Sequence, residues 1–425
     1  MTQHGYSVAS LAWLTVAVAV VGCSGESSVA SVERHVDASS QAIRAAVHSN
    51  AAVASKLAGA LKDQPGNLFY SPLSIEAASG ILLAGAGGDT AAQLATLLDA
   101  QADHEALHDG LGALLRDLRR EHPQYTLSVA NKLWAVPGLE SSQRFTDTTR
   151  DDYDAPTALV DFTNEPEAAR GKINQWVSDQ TARKIPELLK PGQITEDTVM
   201  AVVNAMYFKA DWAKAFDSAR TRRQTFHRAG ATDVTVDMMS SDKIPVRTLS
   251  TDGARWIELP YRTGDVSFLA YTTEAPFGAA PGPVTSVQQL QEDLEGVDID
   301  EVVASLSDVE IEVQMPRFSL RSRIDLVPLF RQLGVTDLFD ERRADLTNIS
   351  ADGGLYVNPF VHEAAVWVDE QGTVAVAATA GGVVATSAVI PLLIDHPFLF
   401  FIRDNLTGAI LFSGRVADPT ESADD

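Results

Sequence analysis

Twenty-four consecutive residues, Gln371 to Ile394, carry no charge. A run of that length either crosses a membrane or needs a place inside a fold. Three features argue against a span: Gly381-Gly382 sits in the middle, Pro391 breaks the end, and Ala, Val, Thr and Ser outnumber Leu and Phe. The run is β-prone, small and weakly apolar, so left exposed it would be an aggregation hazard or a strand seeking a sheet. Thr373, Ala375, Ala377, Thr379 and Gly381 alternate along it, and a period of two puts them on one face. A strand with one small face can slide between two existing strands without overpacking the core beneath. Glu370-Gln371-Gly372-Thr373, just before it, has the character of a hinge. The plainer alternative is a loop followed by an ordinary strand.

The rest of the 425-residue chain can build a large core, with 45% hydrophobic and 21% charged residues. Disordered, collagen-like and small disulfide-stapled classes are excluded. The net charge of −24 removes nucleic acid as a partner, because nothing would neutralise phosphates, and reads as a solubility feature. The single cysteine, Cys23, forbids an internal disulfide and a thiolate-rich metal site. Val8 to Val21 is an uncharged, mostly apolar run that ends in Val20-Val21-Gly22-Cys23. It has the length of a signal-peptide core and is too short to span. The ending is similar to a bacterial lipobox, which makes residues 1–23 a lipoprotein-type signal and Cys23 the lipidated first residue. Residues 1–10 lack the usual Lys or Arg, so an ordinary secretory signal is the alternative. The expected locations are a membrane-anchored lipoprotein (periplasmic or cell-surface) or a secreted protein.

Residues 24–42 read as a flexible tether. From Ile43 to Leu61 apolar residues recur at helical spacing (Ile43, Val47, Ala51, Ala54, Leu57, Ala58, Leu61), and Pro65-Gly66-Asn67 ends the helix. Further helices are predicted over Leu73–Leu83, Leu111–Arg120 and Ile173–Leu189. Strands are predicted over Val199–Phe208, Trp256–Leu259, Ser267–Thr272, Val309–Met315, Leu355–Val357, Ala364–Val368, Phe398–Ile402 and Ile410–Phe412. Helices and strands mix without βαβ regularity or repeat, so residues 43–419 read as one large α+β domain followed by an acidic tail, 420–425.

Six ordered motifs then make the chain resemble a serpin, a serine protease inhibitor of the loop-insertion type. They are Asn67-Leu68-Phe69-Tyr70-Ser71-Pro72-Leu73-Ser74-Ile75 with Gly85-Ala86-Gly87-Gly88-Asp89-Thr90, Lys172 to Val177 with Lys184-Ile185, Val203 to Trp212, His362 to Thr373, His396-Pro397-Phe398-Leu399-Phe400, and Gly414-Arg415-Val416. The resemblance implies three β-sheets, about eight or nine helices, and an exposed reactive loop over about 372–391. It implies an irreversible suicide-substrate mechanism in which a serine protease acylates the bait and the cleaved loop inserts into the main sheet before hydrolysis finishes. A kinetically trapped native state follows.

Carried over residue by residue, the resemblance makes Glu370 and Gly372 hinge anchors and Thr373 the first residue to insert. Ala375, Ala377 and Ala378 keep the inserting strand small; Val374 and Val376 depart from the family's usual Glu and Ala. Ser71, Ser74, Asn204 and His362 form the polar cluster under the opening sheet, and Trp212 packs where insertion begins. Counting from Glu370 and back from Pro397 places the reactive bond at Thr386-Ser387, with Ala385-Thr386 as the alternative. Val383-Val384-Ala385-Thr386-Ser387 offers no Arg, Lys or large aromatic. Elastase-like or subtilisin-like serine proteases are therefore the expected partners, with some cysteine proteases beside them. The chain is expected to act as a monomer, without a cofactor and not as an enzyme. A non-inhibitory serpin acting as a carrier, scaffold or chaperone is the rival.

His104-Glu105-Ala106-Leu107-His108 matches the HExxH spacing of zinc metalloproteases. A zinc metalloprotease is the remote alternative; it would need a third ligand with Glu105 as base, and the metzincin continuation would place Gly where Leu111 stands. No Gly-x-Ser-x-Gly elbow and no phosphate loop with Lys occurs.

Overall fold

The computed structural model describes residues 36–100, 103–120, 125–251, 253–273, 284–373 and 391–423. The first half of the chain forms α1 (Gln41–Leu61), β1 (Leu68–Tyr70), α2 (Pro72–Gly85), α3 (Gly88–Leu97), α4 (His104–Leu118), β2 (Tyr125–Ala135), α5 (Gln143–Asp151), β3 (Ala158–Leu159), α6 (Pro166–Gln180) and β4 (Met200–Asp211). Then follow β5 (Arg222–Phe226), β6 (Val234–Thr251), β7 (Ala254–Pro260), β8 (Val266–Thr273), α7 (Val287–Asp293), α8 (Ile299–Ser305), β9 (Ser307–Pro316), β10 (Phe318–Asp325) and α9 (Leu326–Gln332). The chain closes with β11 (Phe360–Val368), β12 (Gly372–Thr373), β13 (Leu392–Leu393), β14 (Phe398–Asp404) and β15 (Ile410–Val416).

Local sequence explains the helix ends. The Ser40 hydroxyl caps α1 by accepting from the Ile43 amide at 3.2 Å. Ile43, Ala46, Val53, Leu57 and Leu61 form its buried stripe. Ser71 caps α2 in the same way, with Pro72 in the first turn, where its missing N–H is harmless. Thirteen of the fourteen α2 residues are buried, so this helix runs through the core.

Two expectations need correction. The helix predicted over Ile173–Leu189 stops at Gln180. Ala182 and Arg183 take left-handed conformations (φ 50° and 61°), which two successive non-glycine residues cannot do inside a helix. Pro186 then prevents a restart. Residues 181–198 instead return along α6 as an irregular strap. Leu355–Val357 is not a strand; the Val357 amide bonds the Leu338 carbonyl at 3.0 Å, outside either sheet.

The strands form two hydrogen-bonded assemblies. One has six strands in the order β10-β11-β12-β4-β2-β3. The other has nine, in the order β1-β15-β14-β8-β7-β6-β9-β13, with β5 on β6. Two of the three expected sheets are thus continuous, because β6 and β9 pass from one into the other through a register shift between Ser240 and Lys243. The main core lies between the two assemblies and α2. A second cluster joins α6 and the strap (Ile173, Val177, Ile185, Leu188, Leu189, Ile194) to the outer face of the six-stranded sheet. Among the described residues, no helix is long and apolar enough to cross a membrane.

Candidate functional site

The six-stranded sheet has a seam. Its strands β4 and β11 run parallel and pair only from Val202–Tyr207 to Phe360–Ala365. Beyond that point they separate, and β12 lies between them. Thr373 is antiparallel to both neighbours, opposite Ala210 on β4 and Val368 on β11. A third strand between a parallel pair runs either with both or against both, and the chain at Thr373 runs against both.

The turn between β11 and β12 is held from several sides. The Asp369 amide bonds the Gly372 carbonyl at 2.9 Å, and the Asp369 carboxylate accepts from the Gln371 amide at 2.9 Å. The Phe216 amide donates to the Glu370 carbonyl at 2.7 Å, and the Trp212 amide to the Gln371 carbonyl at 2.8 Å. Gly372 has to be glycine: a Cβ there would lie 2.7 Å from the Asp211 Cα and 2.9 Å from the Ala210 carbonyl carbon, which are backbone atoms that cannot give way. The Glu370 carboxylate accepts from Thr221 Oγ1 at 2.5 Å and from Arg317 Nη2 at 2.6 Å. Its burial opposes ionisation, but these bonds outweigh the burial and hold the carboxyl below its usual range.

Thr373 is fully buried, and its hydroxyl lies 2.8 Å from the Tyr261 hydroxyl. The Tyr261 ring stacks on Trp212 at 4.7 Å with an interplanar angle of 4°. Trp212 meets Phe216 and Phe268 edge-on, and its indole N–H donates to the Asp369 carbonyl at 2.9 Å. The tryptophan thus packs against the turn from which the hinge strand starts.

Further along the seam, Ser71, Ser74, Asn204 and His362 are brought together, and each is fully buried. The Ser71 amide donates to His362 Nε2 at 3.1 Å. That fixes the tautomer with the proton on Nδ1, which donates across the seam to Asn204 Oδ1. Asn204 Nδ2 donates to the Ser74 carbonyl at 2.6 Å and to Ser74 Oγ at 2.8 Å. Burial pushes the His362 pKa down to about 3, so the ring is neutral. Asn131 completes the cluster, its Oδ1 accepting from Ser74 Oγ at 3.1 Å and from Asn204 Nδ2 at 2.5 Å. Asn131, Tyr261, Thr221 and Arg317 were not evident as site residues in the sequence. Only Asn131 left a signal there, as a polar residue on the core-facing side of an apolar strand.

Thr373 is the last described residue before the loop, and after it Leu392–Leu393 lies in the nine-stranded sheet, parallel to Val313–Gln314. Ala375, Ala377, Ala378, Ala385, Thr386 and Ser387 lie outside the described residues, as does Cys23. In the HExxH segment, His104 and His108 lie one turn apart on α4. His108 Nδ1 is 2.7 Å from the Tyr153 hydroxyl, and burial lowers its pKa to about 4. Among the described residues, no third His, Cys, Asp or Glu joins the pair. A cavity of about 970 Å3 lies between α1, residues 294–300 and β14–β15, away from the seam.

A family model described as Serpin (serine protease inhibitor) matches residues 48–419. The leukocyte elastase inhibitor of Bos taurus is 37% identical over 358 residues, covering 83% of this chain and 93% of the relative. Among solved structures, native protease nexin-1 with heparin matches with a TM-score of 0.78 at 26% identity, covering 89% of this chain and all of that one. The thermophilic serpin Tengpin in its native state matches with a TM-score of 0.78 at 25% identity, covering 91% of this chain and 96% of that one. The fold, with β12 seated between β4 and β11, and these likenesses agree: the chain belongs to the serpin family of serine protease inhibitors.

Proposed function

We propose that the protein traps elastase-like or subtilisin-like serine proteases by inserting its cleaved reactive loop between β4 and β11. The observation that carries this is Thr373, seated between the two strands and antiparallel to both. Continuing that register, each step along the loop moves one residue back along both neighbours. Ala375 then meets Phe208 and Val366, Ala377 meets Met206 and Ala364, Thr379 meets Asn204 and His362, and Gly381 meets Val202 and Phe360. These core-facing loop positions are the small ones.

Residues 374–383 would satisfy their backbone groups on both sides, while the six-residue parallel ladder and the Asn358–Met200 backbone bond are given up. The net gain is on the order of ten backbone hydrogen bonds at ~1 kcal/mol each. Some fifteen residues up to the reactive bond span about 50 Å at ~3.3 Å per residue. An acyl-enzyme carried that far is pulled against the base of the fold, and its active site is distorted before deacylation.

In the reading of the bait, Thr386-Ser387 is the bond attacked and Ala385-Thr386 the alternative. The small aliphatic residues before it suit apolar specificity pockets, which discriminate by only ~1–3 kcal/mol per methylene. The test is a gel. Protein mixed with an elastase-like and a subtilisin-like protease, then denatured in SDS, should give a covalent band near the summed mass and a released fragment starting at Ser387. Cleavage without such a band would establish substrate behaviour and a non-inhibitory role.

We also propose that Cys23 is lipidated and holds the protein to a membrane as a monomer. The sole cysteine after an apolar export-like run supports this. Detergent-phase partitioning that is lost in Cys23→Ala tests it, and an unlipidated mature terminus would overturn it.

A further inference from the structure

Glu76 sits on α2 in the middle of the core, with none of its surface exposed. A buried carboxylate needs a cation or several donors, and this one has neither. Its Oε2 accepts from the Asn50 side-chain amide at 3.1 Å. The Ser49 hydroxyl, next to Asn50 on α1, also acts on the carboxyl. Glu76 Oε1 and Ser49 Oγ make no regular hydrogen bond among the described residues, and no cation there acts on the group. The carboxyl is therefore an acid that keeps its proton at neutral pH.

Glu76 closes a ring of contacts that reaches both banks of the seam. Asn50 accepts from the Ile410 amide at 2.7 Å and donates to the Ile410 carbonyl at 3.3 Å. The next residue on β15, Leu411, accepts from Ser71 Oγ at 2.7 Å, and Ser71 leads back into α2 as its cap. Through the Ser71 amide this ring holds His362 on β11. Through Ser74, two residues before Glu76, it holds Asn204 on β4. His362 and Asn204 bond each other across the seam, and an entering strand has to part them.

The groups around Glu76 leave it as the one that responds to alkali. α1 faces it with Ser49 and Asn50, which do not titrate. On the side of α4 the Tyr153 hydroxyl packs over Gly80, one turn along α2, and lies 2.7 Å from His108 Nδ1. Tyr153 is held well above its usual range, by burial first and then by Glu76, and burial keeps His108 neutral above about 4. Between pH 7 and pH 9, Glu76 alone among these groups changes charge, since burial raises its pKa to about 8. An anion formed there has no partner in the ring, and α2 must shift to bring it donors or water.

We propose that Glu76 is a positioning residue and a proton sensor for the seam: with its proton, α2 stays seated under both banks, and without it α2 releases them and the seam opens more readily. This rests on the loop-insertion reading above.

The test uses a dye-labelled peptide with the sequence of residues 374–385, mixed in excess with the whole uncleaved protein at pH 7, 8 and 9. Uptake is followed by fluorescence anisotropy, so no protease with a pH dependence of its own takes part. The ionised fraction of a group with a pKa of about 8 rises about tenfold from pH 7 to pH 9. Wild-type uptake should therefore quicken on the order of tenfold, with its midpoint near pH 8. Glu76→Gln keeps the shape of the protonated acid and should take up peptide slowly at all three pH values. A residue that is merely structural would change the rate equally at every pH and leave the slope of wild type in place. If Glu76→Gln does not fold, Glu76→Met, of similar size and without a proton to lose, decides by the same readout. A wild-type rate that does not change with pH, or a variant rate that rises in parallel with it, overturns the sensor. Wild type that forms no covalent complex with protease and takes up no peptide would instead overturn the reading on which it rests.

Discussion

Replacing Thr373 with arginine separates the native state from the inserted one. In the native protein the side chain is fully buried, with its hydroxyl on Tyr261. A guanidinium does not fit there without partners, so the two-residue strand swings out. That forfeits its short ladders and the Tyr261 contact, roughly 1–3 kcal/mol. The inserted state has no such escape. Residue 373 must lie between Ala210 and Val368 for the loop behind it to enter, and an unpaired buried charge costs about 3–5 kcal/mol. If entry of this residue begins insertion, ~4 kcal/mol slows the step about a thousandfold. Hydrolysis of the acyl-enzyme then competes about a thousandfold better than in wild type, and far more inhibitor is consumed per protease blocked. Thr373→Ser keeps the hydroxyl and should trap normally. The assay is titration of an elastase-like protease with each variant, counting inhibitor consumed per protease blocked, with SDS gels of the same mixtures. A Thr373→Arg variant that traps with wild-type stoichiometry would refute the claim that insertion starts at this position.

Three further outcomes follow from named contacts. The His362 pKa is depressed on folding, so its contribution is full above the unfolded value near 6.5 and is lost as pH falls toward about 3; the stability advantage of wild type over His362→Gln should shrink by ~2 kcal/mol between pH 7 and pH 5 in denaturant titrations. Glu76 is fully buried on α2, accepts from Asn50 at 3.1 Å, and burial raises its pKa to about 8. Its contribution is full below the unfolded value near 4.5 and lost as pH rises through 8, so Glu76→Gln should gain on wild type by up to ~4 kcal/mol from pH 5 to pH 8; equal pH slopes would contradict this. Thr379→Ala should leave the native unfolding temperature unchanged and weaken the cleaved form by ~1 kcal/mol, because only insertion sets that hydroxyl between Asn204 and His362.

The sequence exposed what depends on local rules. The Glu-Gln-Gly-Thr turn stood out before the short strand at Gly372–Thr373, and the apolar run Leu73–Leu83 marked the central helix. The partners of the hinge were hidden, because Tyr261, Thr221 and Arg317 lie 53 or more positions from the residues they hold. Asn131 was hidden for the same reason: its strand pairs with β4 across 73 positions. The strap read as helix because its apolar spacing continues that of α6. Its true course depends on two left-handed residues and on Arg321 and Arg323 of the distant β10, which bond its carbonyls, neither of which leaves a periodic trace. The HExxH spacing illustrates the converse: a helix supplies the one-turn separation, but the packing of His108 against Tyr153 decides what the ring does.

The proposed mechanism makes the loop a strand of the six-stranded sheet once it is cut. Amide hydrogen exchange over residues 374–383, measured before and after cleavage of the reactive bond, tests it most directly. Insertion entails slow exchange across that segment in the cleaved protein, together with a higher unfolding temperature. Fast exchange throughout the segment after complete cleavage, with an unchanged unfolding temperature, would contradict it.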